Sequence, residues 1–124
     1  MPSRILIVDD NGPIRRLVRV CIEAQTGWSV CGEAANGKEA IEMAQQQHPD
    51  AVVMDLSMPV MNGLEAARIL GKLMPSLPLI MLTFFSTPNL EREALAAGYK
   101  QVILKTQNLD DLVRSIRSVV ANSA

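Results

Sequence analysis

Residues 4–12 are Arg-Ile-Leu-Ile-Val-Asp-Asp-Asn-Gly, and this stretch decides the fold of the 124-residue chain. Its aliphatic run Ile5–Val8 is typical of a short strand that is buried on both faces. The turn cluster Asp9–Gly12 ends this strand, and Pro13 then stands where a helix tolerates proline as its first residue. Apolar residues at helical spacing follow, so this part of the chain predicts a strand, a turn and a helix.

The same unit recurs four more times. Strands are predicted at Arg4–Val8, Trp28–Ala34, Ala51–Met54, Leu79–Leu82 and Val102–Leu104. Helices are predicted from Pro13 to a cap at Gly27, from the cap Asn36 to about Gln47, from the cap Asn62 to about Leu73, from the cap Thr87 to about Ala97 with Gly98 as its stop, and after the cap Asn108. Short aliphatic strands that alternate with helices predict a parallel sheet covered on both faces.

Five such units indicate an α/β protein, a single (βα)5 doubly wound sandwich. The expected five-stranded parallel sheet has the flavodoxin-like strand order 2-1-3-4-5, because crossovers are right-handed and an eight-unit barrel needs a longer chain. Trp28–Ala34 alternates polar and apolar residues and is expected at an edge of the sheet. Residues 1–124 are expected to form one domain.

Composition excludes several classes of function. Twelve Lys+Arg against thirteen Asp+Glu give a net charge of −1, so direct binding to nucleic acid is not expected. Apolar runs such as Ile5–Val8 are too short to span a bilayer, and no signal-peptide pattern is present. Cys21 and Cys31 lack metal-ligand spacing and are predicted to be reduced core residues. The sequence therefore predicts a cytoplasmic protein that does not bind membranes.

Polar residues follow four of the five predicted strands. Asp9 and Asp10 follow the first, Asp55 the third, Thr83 the fourth and Lys105 the fifth, while the second strand contributes nothing polar. Ligands of such sheets bind outside the carboxyl ends of the strands, so these side chains are expected to meet. Crowded carboxylates repel one another and favour a hard divalent cation, Mg²⁺ before Ca²⁺.

A cation held by carboxylates, beside a lysine and a hydroxyl group, can bind a phosphoryl group. Lys105 would neutralise phosphoryl oxygens, Thr83 would donate one hydrogen bond, and the central Asp55 is the predicted nucleophile. Taken singly, each residue has an ordinary structural explanation, for example a turn at Asp9–Asp10 or a solvated lysine. Their joint position at one end of one sheet favours the functional interpretation, although Asp50 places a carboxylate at the opposite end.

Four segments carry a resemblance to a known family: Ile5-Leu-Ile-Val-Asp-Asp10, Val53-Met-Asp-Leu-Ser-Met-Pro-Val-Met-Asn-Gly63, Met81-Leu-Thr83 and Leu104-Lys105. Over essentially its whole length, the chain resembles the receiver (CheY-like) domain of bacterial two-component response regulators. The resemblance implies that Asp55 accepts a phosphoryl group from a sensor histidine kinase or a phosphotransfer protein. It implies a Mg²⁺ ion bound by Asp9, Asp10, Asp55 and the backbone carbonyl of Ser57, with Thr83 and Lys105 on the phosphoryl oxygens.

The same resemblance implies a signalling switch rather than an enzyme. Its only chemistry would be self-catalysed phosphoryl transfer and hydrolysis of the acyl phosphate. The change would be relayed to a face formed by helix 4, strand 5 and helix 5, on which such domains commonly form homodimers.

Strand 5 departs from the pattern of the family. Thr106 follows Lys105 where receivers usually carry proline, and the bond to that proline is often cis. Val102 occupies the position of the aromatic residue that turns inward on phosphorylation, and the nearby aromatic residue, Tyr99, lies three residues further back.

Bulky residues follow strand 4, where a small residue is typical. Phe84-Phe85 would narrow access to Asp55 or screen an acyl phosphate from water. Together, Ser57, Phe84 and Lys105-Thr106 are closer to the receivers that precede LuxR/NarL-type helix-turn-helix domains. The segment Ala121-Asn-Ser-Ala124 suits both a linker to an attached DNA-binding domain and the end of a single-domain regulator.

Three other functions compete with the phosphorylatable switch. A pseudo-receiver would dimerise or dock without phosphorylation, as the absent strand-5 aromatic and Phe84-Phe85 suggest. A haloacid-dehalogenase-type enzyme would need a second Asp at position 57, where this chain has Ser57. A flavin mononucleotide binder would need a phosphate loop after strand 1, where Asp9-Asp10 would repel the phosphate.

Overall fold

The computed structural model describes residues 3–106 and 108–121. Strands and helices alternate along the chain, as the sequence predicts. The strands are β1 (Ser3–Val8), β2 (Trp28–Ala34), β3 (Ala51–Met54), β4 (Leu79–Thr83) and β5 (Tyr99–Leu104). The helices are α1 (Gly12–Glu23), α2 (Gly37–Gln47), α3 (Gly63–Leu73), α4 (Pro88–Ala97) and α5 (Leu109–Ala121).

The strands form one parallel sheet in the predicted order β2-β1-β3-β4-β5, with β2 at an edge. Successive residues of β1 face opposite sides of the sheet: Leu6 and Val8 belong to one core cluster, Ile5 and Ile7 to the other. The first cluster includes residues of α2, α3 and α4, and the second includes residues of α1 and α5. Within the described residues, no helix is long and apolar enough to cross a membrane.

Side-chain caps fix the starts of the helices, as predicted. The Asn36 side chain accepts a hydrogen bond from the Glu39 amide (2.9 Å), and the Asn62 side chain accepts from the Glu65 amide (2.9 Å). Both hold an amide that the first turn of a helix leaves unpaired. Thr87 caps α4 in the same way, and Gly98 ends that helix in a left-handed conformation (φ 114°).

The end of α1 differs from the prediction. The helix ends at Glu23 with Ala24 as its cap, and Gly27 lies in the following turn with φ 84°. The carbonyl of Gly27 accepts a hydrogen bond from the Ser3 amide (2.7 Å). Gly27 therefore forms a hydrogen bond with the first residue of β1 and is not the cap of α1.

The start of β5 also differs from the prediction, since the strand begins at Tyr99, three residues early. A bulge lies against β4: Leu79 pairs with Tyr99, but Ile80 pairs with Gln101. The extra residue leaves Lys100 and Gln101 exposed in succession. The bulge interrupts the alternation of polar and apolar residues on which the sequence prediction depends.

Both cysteines are free and half-buried. Cys31 packs against the first core cluster, and burial raises the pKa of its thiol. These surroundings fit the predicted reduced, structural thiol at this position.

Candidate functional site

The loop after β1 places two acidic side chains at the carboxyl edge of the sheet. The Asp9 amide donates to the Ala34 carbonyl (3.0 Å), which continues the ladder between β1 and β2. Asp9 is 3% exposed, and its Oδ1 accepts from the Asn11 amide (2.9 Å). Asp10 is exposed and begins the turn into α1.

Asp55 stands at the end of β3 between the neighbouring strands β1 and β4. Its amide donates to the Val8 carbonyl (2.9 Å), and its Oδ1 accepts from the Leu56 amide (2.8 Å). The residue is only 6% exposed. Burial raises the pKa of Asp55; Lys105 opposes this rise and the negative charge of Asp9 adds to it.

Lys105 brings the two buried carboxylates together. Its Nζ lies 2.7 Å from Asp9 Oδ2 and 3.2 Å from Asp55 Oδ2, and the side chain is 5% exposed. The Lys105 amide donates to the Thr83 carbonyl (2.7 Å), so that the ends of β4 and β5 hold it in position. Thr83 is buried at the same edge, and Ser57 lies exposed in the loop after β3.

The acidic residues meet as the sequence predicts, and their arrangement fits a divalent cation. Asp9, Asp10 and Asp55 each offer a carboxylate oxygen, and these oxygens lie within 4.8 Å of one another. Oxygen ligands of this kind suit Mg²⁺, which is usually bound by one or two carboxylates together with water and phosphate oxygens. The three carboxylates predicted as metal ligands and the predicted phosphate-binding lysine therefore lie together.

A family model places the chain in a known group of proteins. The model described as the response regulator receiver domain matches residues 5–117. The chain belongs to this family. Members are signalling domains rather than classical enzymes, and they bind Mg²⁺ at an acidic pocket.

Individual relatives agree with the family assignment. The chain is 36% identical over 124 residues to the response regulator protein VraR of Staphylococcus saprophyticus, covering 100% of this chain and 59% of VraR. It is 35% identical over 119 residues to the chemotaxis protein CheY of Thermotoga maritima, covering 96% of this chain and 98% of CheY. CheY is thus about as long as this chain. The chain spans only about half the length of other curated relatives that it matches.

Solved structures show the same similarity. A LuxR-family two-component response regulator from Aurantimonas sp. SI85-9A1 superposes with a TM-score of 0.94 at 30% identity, covering 98% of this chain and 87% of that one. A chain of the CheX-CheY-BeF3-Mg²⁺ complex from Borrelia burgdorferi superposes with a TM-score of 0.86 at 25% identity, covering 96% of this chain and 90% of that one. The receiver is thus similar to both LuxR-type and CheY-like proteins.

Tyr99 does not take the place of the missing strand-5 aromatic in this receiver. It is 2% exposed, and its hydroxyl donates to the Gly63 carbonyl (2.8 Å) at the start of α3. Burial raises the pKa of Tyr99, so the phenol remains protonated and able to donate. Val102, which occupies the position of the family's aromatic residue, is half-buried and packs against the first core cluster, to which Tyr99 also belongs. No peptide bond among the described residues is cis, including the bond from Lys105 to Thr106.

Phe84 lies over the lysine of the site. Its ring centroid is 4.7 Å from Lys105 Nζ, a distance at which a cation is attracted to an aromatic face. Phe84 is 47% exposed and lines a largely apolar hollow of about 400 Å³ together with Leu17 and Leu109. Phe85 is 82% exposed. The first phenylalanine therefore covers Lys105, while the second projects outward.

Sequence reasoning missed one residue of the site, Arg15. Its Nη1 donates to the Asp9 carbonyl (2.5 Å), and its Nε donates to Glu33 Oε1 (3.1 Å). Through Glu33, β2 contributes to the site indirectly, although no polar side chain was expected from this strand. The sequence contained only a weak signal for this role. The amino end of a helix carries partial positive charge, so a cation in its first turns is unfavourable unless nearby acceptors stabilise it.

Proposed function

We propose that this receiver is a phosphorylatable switch of a two-component system in which Asp55 is the phosphoacceptor. The observation that carries the proposal is the position of Lys105, within 3.2 Å of both buried carboxylates, Asp9 and Asp55. An ammonium group at this point is ready to bind the oxygens of an incoming phosphoryl group. The donor would be a phosphohistidine of a sensor histidine kinase or of a phosphotransfer protein.

The chain's own residues supply the groups for the transfer. A carboxylate oxygen of Asp55 attacks phosphorus, and the P–O bond forms as the P–N bond to the donor imidazole breaks. The imidazole keeps the bonding electron pair and takes up a proton from solvent. Burial raises the pKa of Asp55, which makes its carboxylate more basic and a better nucleophile than an exposed one.

Two further groups stabilise the phosphoryl oxygens. Lys105 neutralises negative charge, and the Thr83 hydroxyl donates a hydrogen bond. Mg²⁺, held by Asp9, Asp10, Asp55 and the Ser57 carbonyl, would neutralise the remaining charge. Attack of water on the acyl phosphate at the same site would break the bond between phosphorus and the Asp55 oxygen, release inorganic phosphate and restore the carboxylate, which resets the switch.

The output of the switch is a change on the surface formed by α4, β5 and α5. Leu95, Lys100 and Gln101 are exposed there, so the surface is open to a partner or to a second copy of the chain. The phosphorylated site would favour one of two arrangements of this surface. A homodimer through it is the proposed consequence.

The receiver would act in the cytoplasm, where its kinase partner presents phosphohistidine. DNA binding would belong to an attached C-terminal domain, since the chain has no basic excess and its LuxR-type relatives are about twice as long. Similarity to CheY over nearly the whole of that protein supports the alternative of a single-domain regulator.

Intact mass spectrometry tests the proposal. The receiver is incubated with acetyl phosphate and Mg²⁺, alongside Asp55→Asn and the control Asp50→Asn, which alters an aspartate at the other end of the sheet. We expect one added phosphoryl group on the wild type and on Asp50→Asn, and none on Asp55→Asn. Unmodified wild type in the presence of bound Mg²⁺ would contradict the proposal.

A second function, that of a phosphorylation-independent dimerisation or docking module, is favoured by the fixed Tyr99 and by Val102 at the aromatic position. Size-exclusion elution of the same samples separates the two functions. A shift in elution on phosphorylation supports the switch, whereas phosphorylated protein with unchanged elution and unchanged spectra supports the module.

A further inference from the structure

Asp10 depends on its backbone for its position. Within residues 3–106 and 108–121, no hydrogen bond or ion pair holds its side chain, unlike the side chains of Asp9 and Asp55. The peptide that joins Asp9 to Asp10 therefore sets the direction in which the Asp10 side chain leaves the backbone, and so whether its carboxylate reaches the cluster. Whatever fixes the Asp9 carbonyl fixes this peptide.

Arg15 fixes that carbonyl. The guanidinium group forms a bridge: Nη1 donates to the Asp9 carbonyl (2.5 Å) and Nε donates to Glu33 Oε1 (3.1 Å). The Arg15 side chain is 23% exposed and that of Glu33 is 26% exposed, so water screens this bridge only in part. An arginine holds its two acceptors with separate nitrogens in a fixed planar geometry, whereas a lysine offers a single ammonium nitrogen on a flexible stem.

Glu33 is itself held from the other side. Its Oε2 accepts from Arg19 Nη1 (2.7 Å), and hydrogen bonds from Arg19 and then Arg15 hold the pKa of Glu33 below its usual range. Glu33 therefore stays ionised at neutral pH and anchors Arg15. The helix offers no competing anchor, because the first turn of α1 contains no acidic residue.

We infer that Arg15, anchored by Glu33, is a positioning residue that aims Asp10 into the Mg²⁺ site. The inference rests on the proposed function, because it concerns the metal that this function uses. Groups that orient metal ligands without touching the metal commonly change metal affinity by tenfold or more when they are removed.

Two explanations of Arg15 predict opposite results. If Arg15 acts only as a nearby positive charge, its removal lowers the repulsion of the cation and tightens Mg²⁺ binding. If Arg15 positions Asp10, its removal weakens Mg²⁺ binding although a repulsive charge has gone. The sign of the change therefore decides between them.

The experiment is calorimetric titration of the full chain with Mg²⁺, without phosphodonor, for Arg15→Met, Arg15→Lys and Glu33→Gln. We expect Arg15→Met to bind Mg²⁺ about tenfold more weakly than wild type. Arg15→Lys is expected to be weakened as well, since a single ammonium nitrogen cannot reproduce the separate contacts that Nη1 and Nε make. Glu33→Gln, which keeps Arg15 but loosens its anchor, is expected to show a smaller loss.

Arg16→Met is the matched control. Arg16 is the neighbouring residue of the same helix and is exposed, so the substitution changes the net charge equally without touching Asp9. We expect its Mg²⁺ affinity to match wild type or to be slightly tighter. The thermal midpoint of each variant in EDTA is measured beside the titration, so that lost stability is told apart from lost affinity.

Rates of phosphorylation with acetyl phosphate give an independent readout. At saturating Mg²⁺, Arg15→Met should approach the wild-type rate, with only its half-saturating Mg²⁺ concentration raised. Folded Arg15→Met with wild-type or tighter affinity would overturn the inference; if that variant does not fold, Arg15→Lys and Glu33→Gln decide by the same criterion. Wild type that binds no Mg²⁺ would overturn the proposed function and this inference together, whereas wild type that binds Mg²⁺ without being phosphorylated would count against the proposed function alone.

Discussion

The two ends of the sheet treat their charged groups in opposite ways. At the amino end, Asp50 Oδ2 accepts from the Arg4 amide (2.7 Å), and the Arg4 guanidinium donates to the side chain and carbonyl of Gln47. Each of these two charged groups is hydrogen-bonded to a residue that is distant in sequence. At the carboxyl end, three carboxylates lie close together, and only two of them, Asp9 and Asp55, form an ion pair with the ammonium of Lys105. The carboxyl end therefore retains negative charge that a ligand can neutralise.

Cavity size does not distinguish the two ends. The amino end has an open cleft of about 460 Å³, lined by His48, Asp50 and the segment 73–78, whereas the hollow beside Lys105 measures about 400 Å³. Uncompensated charge, rather than volume, identifies the functional end. Variants that alter this balance at one end, and matched variants at the other, test the comparison.

The largest effect is expected from Lys105→Met. Removal of one partner from a buried charge cluster leaves Asp9 and Asp55 facing each other without a cation, and it should lower the free energy of unfolding by about 3 kcal/mol in EDTA. Mg²⁺ no longer competes with an ammonium group, so it should stabilise this variant more than wild type. Urea denaturation with and without Mg²⁺ measures both effects.

Lys100→Met provides the control, because Lys100 is exposed on β5, the strand that Lys105 directly follows. Its substitution should change stability by no more than about 0.5 kcal/mol. A similarly small loss for Lys105→Met, with no added response to Mg²⁺, would mean that the carboxylates do not depend on Lys105.

The next largest effect is expected from replacing an aspartate by asparagine, a substitution that can be made at either end of the sheet. Burial raises the pKa of Asp55, so the folded protein holds its proton more tightly than the unfolded chain does. Its contribution to stability is therefore fully present below the ordinary aspartate pKa and is lost as pH rises through the folded value. At pH 7, Asp55→Asn should thus be more stable than wild type by on the order of 1 kcal/mol in EDTA, and the gain should vanish near pH 3.

Asp50→Asn should have the opposite sign at pH 7. The Asp50 carboxylate accepts a backbone hydrogen bond, and a neutral amide oxygen accepts it less strongly, with a loss of about 0.5 kcal/mol. Unfolding free energies of both variants from pH 3 to pH 8 provide the measurement. If the unfolding free energies of Asp55→Asn and wild type changed in parallel with pH, the raised pKa of Asp55 would be contradicted.

Local patterns were sufficient to predict most of the fold and the site. The aliphatic runs, the caps Asn36, Asn62 and Thr87, and the acidic ends of β1 and β3 each have a short-range cause. Parallel topology then brings Asp9, Asp55 and Lys105 together whatever lies between them in sequence.

The features that sequence reasoning missed have long-range causes. Gly27 lies beyond the end of α1, where its carbonyl accepts a hydrogen bond from the Ser3 amide. Tyr99 belongs to β5 because the bulge against β4 accommodates one extra residue of this strand. Arg15 could not be assigned, because its partners come from the end of β1 and from β2, 18 residues away. Such pairings depend on tertiary contacts that no window of sequence contains.

The smallest effect concerns backbone strain, which also differs between the ends. Among the described residues, His48 and Val60 alone combine a side chain with positive φ (49° and 69°). His48 is the C-terminal cap of α2 and lies at the amino end of the sheet. Its amide donates to the Ala44 carbonyl (2.9 Å). Val60 lies in the loop after Asp55, at the centre of a turn closed by the Met61 amide and the Pro59 carbonyl (2.7 Å). A β-branched residue tolerates this conformation less well than histidine does.

Glycine at each position separates the two strains. Val60 is 78% exposed, so Val60→Gly removes almost no buried surface and relieves the strained backbone. The greater freedom of glycine in the unfolded chain offsets part of the gain, which leaves a net increase in stability of about 0.5 kcal/mol. His48→Gly should lie near zero, because histidine bears little strain there. Urea midpoints that rank His48→Gly above Val60→Gly would contradict this assignment. The expected order would mean that the loop beside the proposed phosphoacceptor stores backbone strain, as functional segments commonly do.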